Sequence, residues 1–434
     1  MNGIFKIAVI LSLIFSLNCA SVQAQTPITE SEKNEIIHLD VHKTEQFKAD
    51  VKTSLTEKET DEDIKKDTVS DNIDPEFSVF DEILDTDRNE EHPFKIEEES
   101  LFGKIYKKKL ERTSIPSYLL KDELTFRYKK GPVHKAQFYG AYQGSLTGTF
   151  EPGDFDRGYE FGIAEIGVVG AFKKETKTDF KVQMNFKPVS GQSYLHSLFT
   201  DVYVMNTAIP NHKVIVGNSR NQVGIDGGAS SYTLPFATRS QIGRNFGNVR
   251  VLGVRVVGNY PLIDYQMAVN SSDRYFHEFF PGAEFTGWIN FKPLGKTDGK
   301  YGNLTIGTGV NTGRRHGDYS VGGAYVGYSY KKFAVNAEYA IADGYNGKVY
   351  SDKKATGFYT TVSYRLTKRL HALLRYDQFD PNREVSGNLK REYTAGLNYF
   401  IKGQALRLIL NYVFCENQNA DDSHRIILGT QIVL

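Results

Sequence analysis

Arginine is the residue type with the clearest chemical meaning in the last half of this sequence. Its planar guanidinium stays protonated and presents a fork of N–H donors that matches the geometry of oxyanions. The candidate anion-binding residues lie in alternating segments and around one long loop; they are Arg220, Arg239, Arg244, Arg250, Arg255, Arg375 and Arg407. Lined up along a narrow passage, these side chains would replace part of an anion's hydration shell.

The side to which several of these arginines point can be predicted from their neighbours. Arg255, Arg375 and Arg407 each stand between two apolar residues. Arg220 lies two residues after Asn218, so the two side chains should point to the same face of a strand. A strand sends successive side chains to opposite faces. A charge on a face that meets lipid costs about 2–4 kcal/mol at mid-membrane. We therefore expect these arginines on the other, inner face.

An internal ion pair is the alternative role for each arginine. Asp201, Glu338 and Asp377 are the acidic residues that could serve as partners. This alternative is weaker for Arg239 and Arg244, because neither has an acidic residue nearby in the sequence.

The elements that carry these residues are short segments of period two. Residues 119–434 hold about sixteen segments in which apolar and polar residues alternate, with Leu124, Phe126 and Tyr128 as a further strand or lead-in. The predicted strands are 135–150, 158–172, 178–189, 195–209, 212–221, 249–260, 261–273, 282–293, 302–313, 318–330, 333–343, 355–366, 370–379, 391–401, 406–415 and 424–434. The strands of a soluble β-sandwich alternate in the same way. The choice between a sandwich and a membrane barrel therefore depends on the targeting segment, the loop lengths and the aromatic residues.

The N-terminus has the pattern of a secretory signal peptide over residues 1–24. Lys6 supplies the positive region, Ile7–Leu17 the apolar region, and Val22-Gln23-Ala24 the cleavage site. Lipidation at Cys19 is the weaker alternative, because Ser16-Leu17-Asn18 is a poor context for it. No later segment offers the roughly 18 apolar residues of a transmembrane helix, so membrane residence requires a barrel.

Charge divides the rest of the chain in two. Residues 25–100 contain 24 acidic and nine basic residues, whereas residues 101–434 carry a net charge of +15. The acidic stretch cannot bury enough apolar surface to order itself, so residues 25–118 are predicted to be a largely disordered periplasmic segment with possible short helices. The positive charge of residues 101–434 predicts a preference for anions, because a low-dielectric passage lined by charges of one sign concentrates ions of the opposite sign. The alternative explanation of the positive charge is that the lysines lie at the rims, where they bind lipid phosphates or lipopolysaccharide.

Loop lengths and aromatic content favour a transmembrane barrel over a sandwich. Short connections such as 331–332 alternate with long polar ones: 151–157, 190–194, 222–248, 274–281, 314–317, 344–354, 380–390 and 416–423. The 26 Tyr and 28 Phe residues suit two interfacial girdles. The predicted fold of residues 119–434 is all-β, a transmembrane antiparallel β-barrel of about 16 strands. Its third long loop, 222–248, either narrows the lumen or forms an external lid.

Several stretches resemble the phosphate-selective porin O and P family. They are Asp201–Val204, Val214–Arg220, Ser230–Gly258, Tyr376–Asn382 and Gly396–Phe400, and the resemblance covers roughly 135–434. The family implies a trimer of sixteen-stranded barrels that passes anions such as phosphate along Arg and Lys side chains. This sequence departs from the family pattern where Ala164-Glu165 replaces an Arg pair, and also at Thr238, Val251 and the final Leu434.

The sequence therefore predicts an outer-membrane porin for small anions such as phosphate, forming a homotrimer in contact with membrane lipids or lipopolysaccharide. A plugged structural barrel, with residues 101–118 as the candidate plug, is one alternative. A barrel enzyme is less favoured, because there is no G-x-S-x-G, H-E-x-x-H or P-loop pattern and His277 and His316 stand alone in loops. No cofactor, metal site or nucleic-acid partner is predicted. After loss of Cys19, Cys415 would be the one cysteine left, so no intrachain disulfide is expected.

Overall fold

The computed structural model describes residues 119–120, 123–187, 198–247, 249–272, 280–297, 299–315, 317–344 and 353–434. The predicted signal peptide and acidic segment lie outside these residues, as do the candidate plug at 101–118 and the two loop histidines. The predicted long loop 190–194 and most of the loops 274–281 and 344–354 also lie outside them.

Strands make up almost all of the described chain. They are β1 (Thr125–Arg127), β2 (Val133–Glu151), β3 (Asp154–Phe172), β4 (Thr178–Asn185), β5 (Phe199–Asn206), β6 (His212–Arg220), β7 (Arg250–Asn259), β8 (Ile263–Ser271), β9 (Ala283–Phe291), β10 (Asn303–Arg314), β11 (Asp318–Tyr330), β12 (Phe333–Asp343), β13 (Lys354–Arg365), β14 (Leu370–Asp380), β15 (Lys390–Lys402), β16 (Leu406–Asn417) and β17 (Ser423–Val433). A 3₁₀ turn spans Lys174–Thr176, and the short helix α1 spans Gln241–Asn245. Among the described residues, no helix has the length and apolar character needed to cross a membrane.

The strands close into a barrel. Each of β2–β17 pairs antiparallel with the next, and β17 pairs with β2, so sixteen strands form a ring without an open edge. The predicted barrel of about 16 strands is confirmed, and all sixteen predicted strands are present with ends within four residues of those expected. The lead-in strand β1 pairs with residues 135–137 of β2, next to the point where β17 ends at Val433. It therefore covers a part of β2 that the ring would otherwise leave unpaired.

The predicted alternation determines which side chains face outward. In β16, Leu408, Leu410 and Tyr412 are 39–44% exposed, whereas Arg407 and Asn411 are 1% exposed. A bilayer requires this arrangement, since apolar side chains must meet the hydrocarbon while polar ones collect inside.

Turn lengths define two ends of the barrel. The short-turn end carries tight connections such as Lys331-Lys332, and the long-loop end carries the connection between β6 and β7. The first long loop, predicted at 151–157, is wrong: β2 and β3 continue into it and meet at Pro152-Gly153. Gly153 has a φ of +81°, which is the value that the second central residue of a type II turn adopts. The charged residues Asp154 and Asp156 make this hairpin tip look like a loop in the sequence.

Tyrosines lie on the outer face at both ends, as predicted for interfacial girdles. Tyr330, Tyr364 and Tyr399 are 37–46% exposed at the short-turn end. Toward the long-loop end, Tyr376 and Tyr393 pack with ring centroids 5.3 Å apart. Rings in these positions place an apolar body in the bilayer and a hydroxyl in the headgroup region.

Candidate functional site

The connection between β6 and β7 folds into the barrel. This inner loop, residues 221–249, follows Arg220 and ends where β7 begins at Arg250. Six of its apolar side chains are at most 7% exposed and pack against inward-facing residues of β9 and β11–β14. The loop members are Val223, Ile225, Ala229, Leu234, Ile242 and Phe246; the wall members are Trp288, Val321, Tyr325, Ala334, Ala340, Ala342, Ala355, Tyr359 and Phe379. The sequence predicts that this loop either narrows the lumen or forms an external lid, and the structure places it inside the barrel.

The inner loop holds its own shape through one arginine and one aspartate. The Arg239 guanidinium donates to the carbonyl oxygens of Asp226 and Ala229, the latter at 2.7 Å. The Asp226 carboxylate accepts from the backbone N–H and the hydroxyl of Ser240, at 2.5 and 2.8 Å. The Ser240 hydroxyl in turn accepts from the N–H of Gly243 and caps helix α1. These bonds satisfy main-chain groups that would otherwise be buried without partners.

Close approach of neighbouring atoms explains three glycines of the inner loop. A Cβ added at Gly247 would overlap the Cα of Gly227, so the two arms of the loop meet only because neither residue has a side chain. Gly224 has a φ of +61° and lies against the Glu338 carboxylate, where a Cβ would also overlap. Gly supplies both the left-handed conformation and the space.

Three carboxylates on the inner face of one wall hold the inner loop; we call them the wall carboxylates. Glu338 on β12 accepts from the N–H groups of Ile225 at 3.0 Å and Asp226 at 3.4 Å, and from the Tyr359 hydroxyl at 2.9 Å. The other two are Asp377 on β14, which accepts from the N–H of Gln241 at 2.7 Å, and Glu392 on β15, which pairs with Arg244 at 2.7 Å and Arg425 at 3.0 Å. Glu338 and Asp377 thereby satisfy main-chain N–H groups of the inner loop that would otherwise be buried without partners.

Neutral groups hold the loop elsewhere on the ring. Asn398 and Gln431 donate to the carbonyl oxygens of Pro235 and Tyr232, at 2.7 and 3.1 Å. Asn411 accepts from the N–H of Ala237 at 2.8 Å. The loop therefore touches β15, β16 and β17 in addition to the wall carboxylates, and it crosses the lumen instead of lying along one side.

Positive side chains gather on the wall formed by β4, β6 and β7. We call Lys181, Arg220 and Arg250 the cation cluster. The Asp201 carboxylate lies 2.6 Å from Nε of Arg250 and 3.0 Å from Nζ of Lys181. The electrostatic neighbours of Arg220 include Arg250, Arg239, Asp201 and Glu165. Cations thus outnumber carboxylates where the inner loop leaves and rejoins the barrel wall.

The other predicted strand arginines also face inward; Arg255 is next to the cation cluster, whereas Arg375 and Arg407 lie on other parts of the wall. Arg255 is 5% exposed and donates to the carbonyl oxygen of Arg220. Arg407 is 1% exposed and donates to Oε1 of Gln431 at 3.0 Å. Arg375 is 4% exposed, donates to the carbonyl oxygen of Thr238 at 3.1 Å and lies over the Phe236 ring at 4.6 Å. Its Nε is 3.8 Å from Asp377, so the alternative of an internal ion pair holds for Arg375.

The expectation that an internal ion pair is the weaker alternative for Arg239 and Arg244 is wrong for Arg244. Arg239 is buried and bonded to carbonyls of its own loop, and Arg244 pairs with Glu392, which is 148 residues away in the sequence. Burial lowers the pKa of Arg239 to about 10, while Asp226 acts in the opposite direction, so the guanidinium remains charged at neutral pH. Both arginines fix the inner loop; Arg239 is buried, whereas the side chain of Arg244 is 33% exposed.

The loop-holding role of the wall carboxylates is not predicted from the sequence. Glu338 and Asp377 are expected only as partners of arginines, and Glu392 is not among the candidate residues. One signal was present: each is an acidic residue at an inward position of a strand whose neighbouring residues point to lipid. An acid at such a position needs a partner inside the barrel.

Comparison with known proteins supports the resemblance seen in the sequence. Residues 295–432 match the sequence model of the family phosphate-selective porin O and P, which confirms the resemblance over that span. No curated protein matches the chain.

Solved structures show the same fold at low sequence identity. An anion-selective porin from Comamonas acidovorans has a TM-score of 0.51 at 12% identity, over 69% of this chain and 99% of that one. Salmonella typhi OmpF in complex with daunomycin has a TM-score of 0.52 at 15% identity, over 70% and 99%. Pseudomonas putida OprB has a TM-score of 0.52 at 10% identity, over 69% and 94%. The family match and the closed sixteen-stranded barrel point to a channel of the bacterial outer membrane and not to an enzyme.

Proposed function

We propose that this outer-membrane porin passes small anions, phosphate or similar oxyanions among them, by passive diffusion between the inner loop and the cation cluster. The observation that carries the proposal is the convergence of Lys181, Arg220 and Arg250 on the wall beside the inner loop. An anion crossing there would meet guanidinium and ammonium donors in place of water. Arg239, Arg244 and Arg375 act in this scheme by holding the loop at the passage.

The physical basis is the weak screening of charge inside a barrel. A cleft lined by one sign of charge between low-dielectric walls raises the local concentration of counter-ions. Arg also loses less hydration than Lys when it binds an oxyanion, since a guanidinium is the more weakly hydrated of the two cations. Oxyanions therefore gain more from the two arginines of the cluster than chloride does.

Replacing Arg250 with Gln tests the proposal. The cluster would then hold two cations against the carboxylates Asp201 and Glu165, so its surplus charge disappears. We expect the chloride-to-potassium permeability ratio of the purified protein in a planar bilayer to fall by roughly two- to fivefold. The measurement is the reversal potential under a KCl gradient, repeated with phosphate as the anion.

The control for this variant is Arg383→Gln, which removes the same charge from an exposed position in the loop between β14 and β15. Its ratio is expected to match the wild type. If Arg250→Gln and the wild type have the same reversal potential, the cation cluster does not line the passage and the proposal fails.

A plugged structural barrel is the second candidate, and one observation favours it. The inner loop forms an apolar cluster with the wall, in which Ile242 and Phe246 are fully buried. A barrel closed in this way would show no single-channel current in the same bilayer experiment, whereas the porin proposal requires current.

We also propose that the porin forms a homotrimer through the outer face of β5–β7. Most outward residues along these strands are valines, with Val204, Val216 and Val254 at 43–51% exposed. Among the described residues of β5–β7, Phe199 at the end of β5 is the one Phe, Tyr or Trp on this face. Lipid-facing wall normally carries aromatic girdles, so a sector of bare valine fits contact with a second copy, and copies related by rotation close into a ring.

Introduced tryptophans distinguish contact with protein from contact with lipid on this face. Val216→Trp is expected to resist quenching by brominated lipids, whereas Leu374→Trp, on the opposite wall, should be quenched strongly. The native Trp288 points inward and is 3% exposed, so it contributes an unquenched background. Equal quenching at the two positions, or a monomer by light scattering in detergent, would exclude this interface.

The proposal also covers the N-terminal segments and the contacts of the barrel rims with lipid. We propose export by the segment 1–24, with the acidic segment 25–118 in the periplasm. Lysines at the rims would contact lipid phosphates or lipopolysaccharide; Lys331, which lies over the Tyr330 ring at 4.9 Å, is one of them.

A further inference from the structure

We infer that Glu165 on β3 is a selectivity-determining residue, which weakens the cation cluster and favours singly charged anions over divalent ones. The inference rests on the proposed function, because it concerns which anions pass. The observations that carry it are the inward position of Glu165 and its distance from the cation cluster.

Glu165 lies between the barrel wall and the inner loop. It faces inward and is 6% exposed. Its Oε1 is 4.0 Å from Nη2 of Arg250, and its Oε2 accepts from the hydroxyl of Tyr232 in the inner loop. Lys181 and Asp201 are its other charged neighbours. The carboxylate is thus placed beside the cation cluster at the point where the loop meets the wall.

The two carboxylates of this region have different roles. Asp201 makes two close contacts, at 2.6 and 3.0 Å, and holds Arg250 and Lys181 together. Glu165 is oriented by a neutral hydroxyl and reaches Arg250 only at 4.0 Å. Loss of the Asp201 charge would disturb the geometry of the cluster, whereas loss of the Glu165 charge would mainly change its field.

The balance of charges in and around the cation cluster determines how strongly an anion is attracted there. Three cations face two carboxylates, a surplus of one positive charge, and neutralising Glu165 would raise the surplus to two. Interaction energy scales with the product of the charges, so the change acts twice as strongly on a divalent anion as on a monovalent one. In the native protein Glu165 therefore reduces the advantage of divalent oxyanions.

The test is Glu165→Gln, in which the amide oxygen keeps the size and can still accept from Tyr232. We expect the chloride-to-potassium permeability ratio to rise by roughly two- to fivefold, and the sulfate-to-chloride ratio to rise as well. Both ratios come from reversal potentials of the full-length protein in a planar bilayer. The effect should shrink in 1 M salt, where the Debye length is about 3 Å, which a purely structural change would not do.

Two variants serve as controls. Asp264→Asn removes a carboxylate of similar burial on β8, which pairs at 2.7 Å with Lys292 just after β9, and it should leave both ratios close to wild type. Tyr232→Phe removes the hydrogen bond but keeps the charge, so its ratios should also stay close to wild type. If Glu165→Gln does not fold, Glu165→Ala makes the same change of charge.

The outcomes separate the two proposals. A wild type that is silent or cation-selective overturns the proposed function itself. A wild type that passes anions, with Glu165→Gln unchanged in both ratios, overturns the role of Glu165 alone. A change in Tyr232→Phe equal to that in Glu165→Gln would show that loop position, and not charge, is responsible.

Discussion

Removal of the inner loop is expected to raise the single-channel conductance about threefold or more, because a sixteen-stranded barrel without an inserted loop encloses a wide aqueous channel. Residues 224–246 would be replaced by a short Gly-Ser linker between β6 and β7. The barrel should still close, since the ring of strand pairs from β2 to β17 does not involve the loop. Conductance in 1 M KCl is the measurement, with heat-dependent migration on a gel as evidence of folding.

The matched control replaces residues 382–388, in the exposed connection between β14 and β15, with the same linker. That loop lies outside the lumen contacts described for the inner loop, so its conductance should equal that of the wild type. An inner-loop deletion that folds but conducts like the wild type would mean that ions do not pass the loop. The anion preference should weaken in the deletion, because the cation cluster would then face a wider, better hydrated space.

The barrel could be predicted from the sequence because lipid imposes a rule on every strand. Period-two alternation identified all sixteen strands, down to the inward positions of Arg255, Arg375 and Arg407. The hairpin tip at Asp154–Arg157 was missed because its charged residues are typical of loops. In the structure both faces of this tip are exposed, so no apolar alternation is required there.

The interior of the barrel could not be predicted in the same way, because its contacts join distant parts of the chain. Arg244 and Glu392 are 148 residues apart, and Gln241 and Asp377 are 136 apart. Distance in sequence therefore made Arg244 look unpartnered. Its position in the third long loop was predicted correctly; its partner depended on how that loop folds against a wall made of much later strands.

Glu338→Ala is expected to release the inner loop from the wall. The change leaves the N–H groups of Ile225 and Asp226 and the hydroxyl of Tyr359 without their shared acceptor, in a region where water is excluded. Each buried unsatisfied group costs about 1–3 kcal/mol, so docking of the loop should weaken by about 3 kcal/mol or more. The barrel itself should remain folded, because Glu338 takes no part in strand pairing through its side chain.

Trypsin provides a direct measurement of this release, since Arg239 and Arg244 are cleavage sites inside the docked loop. A loss of about 3 kcal/mol corresponds to roughly a hundredfold rise in the open population, and cleavage at these two sites should accelerate by the same factor. Mass spectrometry of the fragments identifies the sites. Open-channel noise in the bilayer should rise in parallel, because an undocked loop would move within the lumen.

The choice of control decides what an accelerated cleavage means. Glu384→Ala removes an acid that pairs with Lys354 at 2.8 Å in an exposed position, where an ion pair contributes little; its cleavage rate should not change. Glu338→Gln keeps one oxygen acceptor and loses the charge, so an intermediate rate is expected. If Glu338→Ala is cleaved no faster than the wild type, then Asp377, Glu392 and the apolar cluster suffice to hold the loop, and a single wall carboxylate does not control access to the lumen. If it is cleaved faster but Glu338→Gln is not, the hydrogen bonds and not the buried charge hold the loop in place.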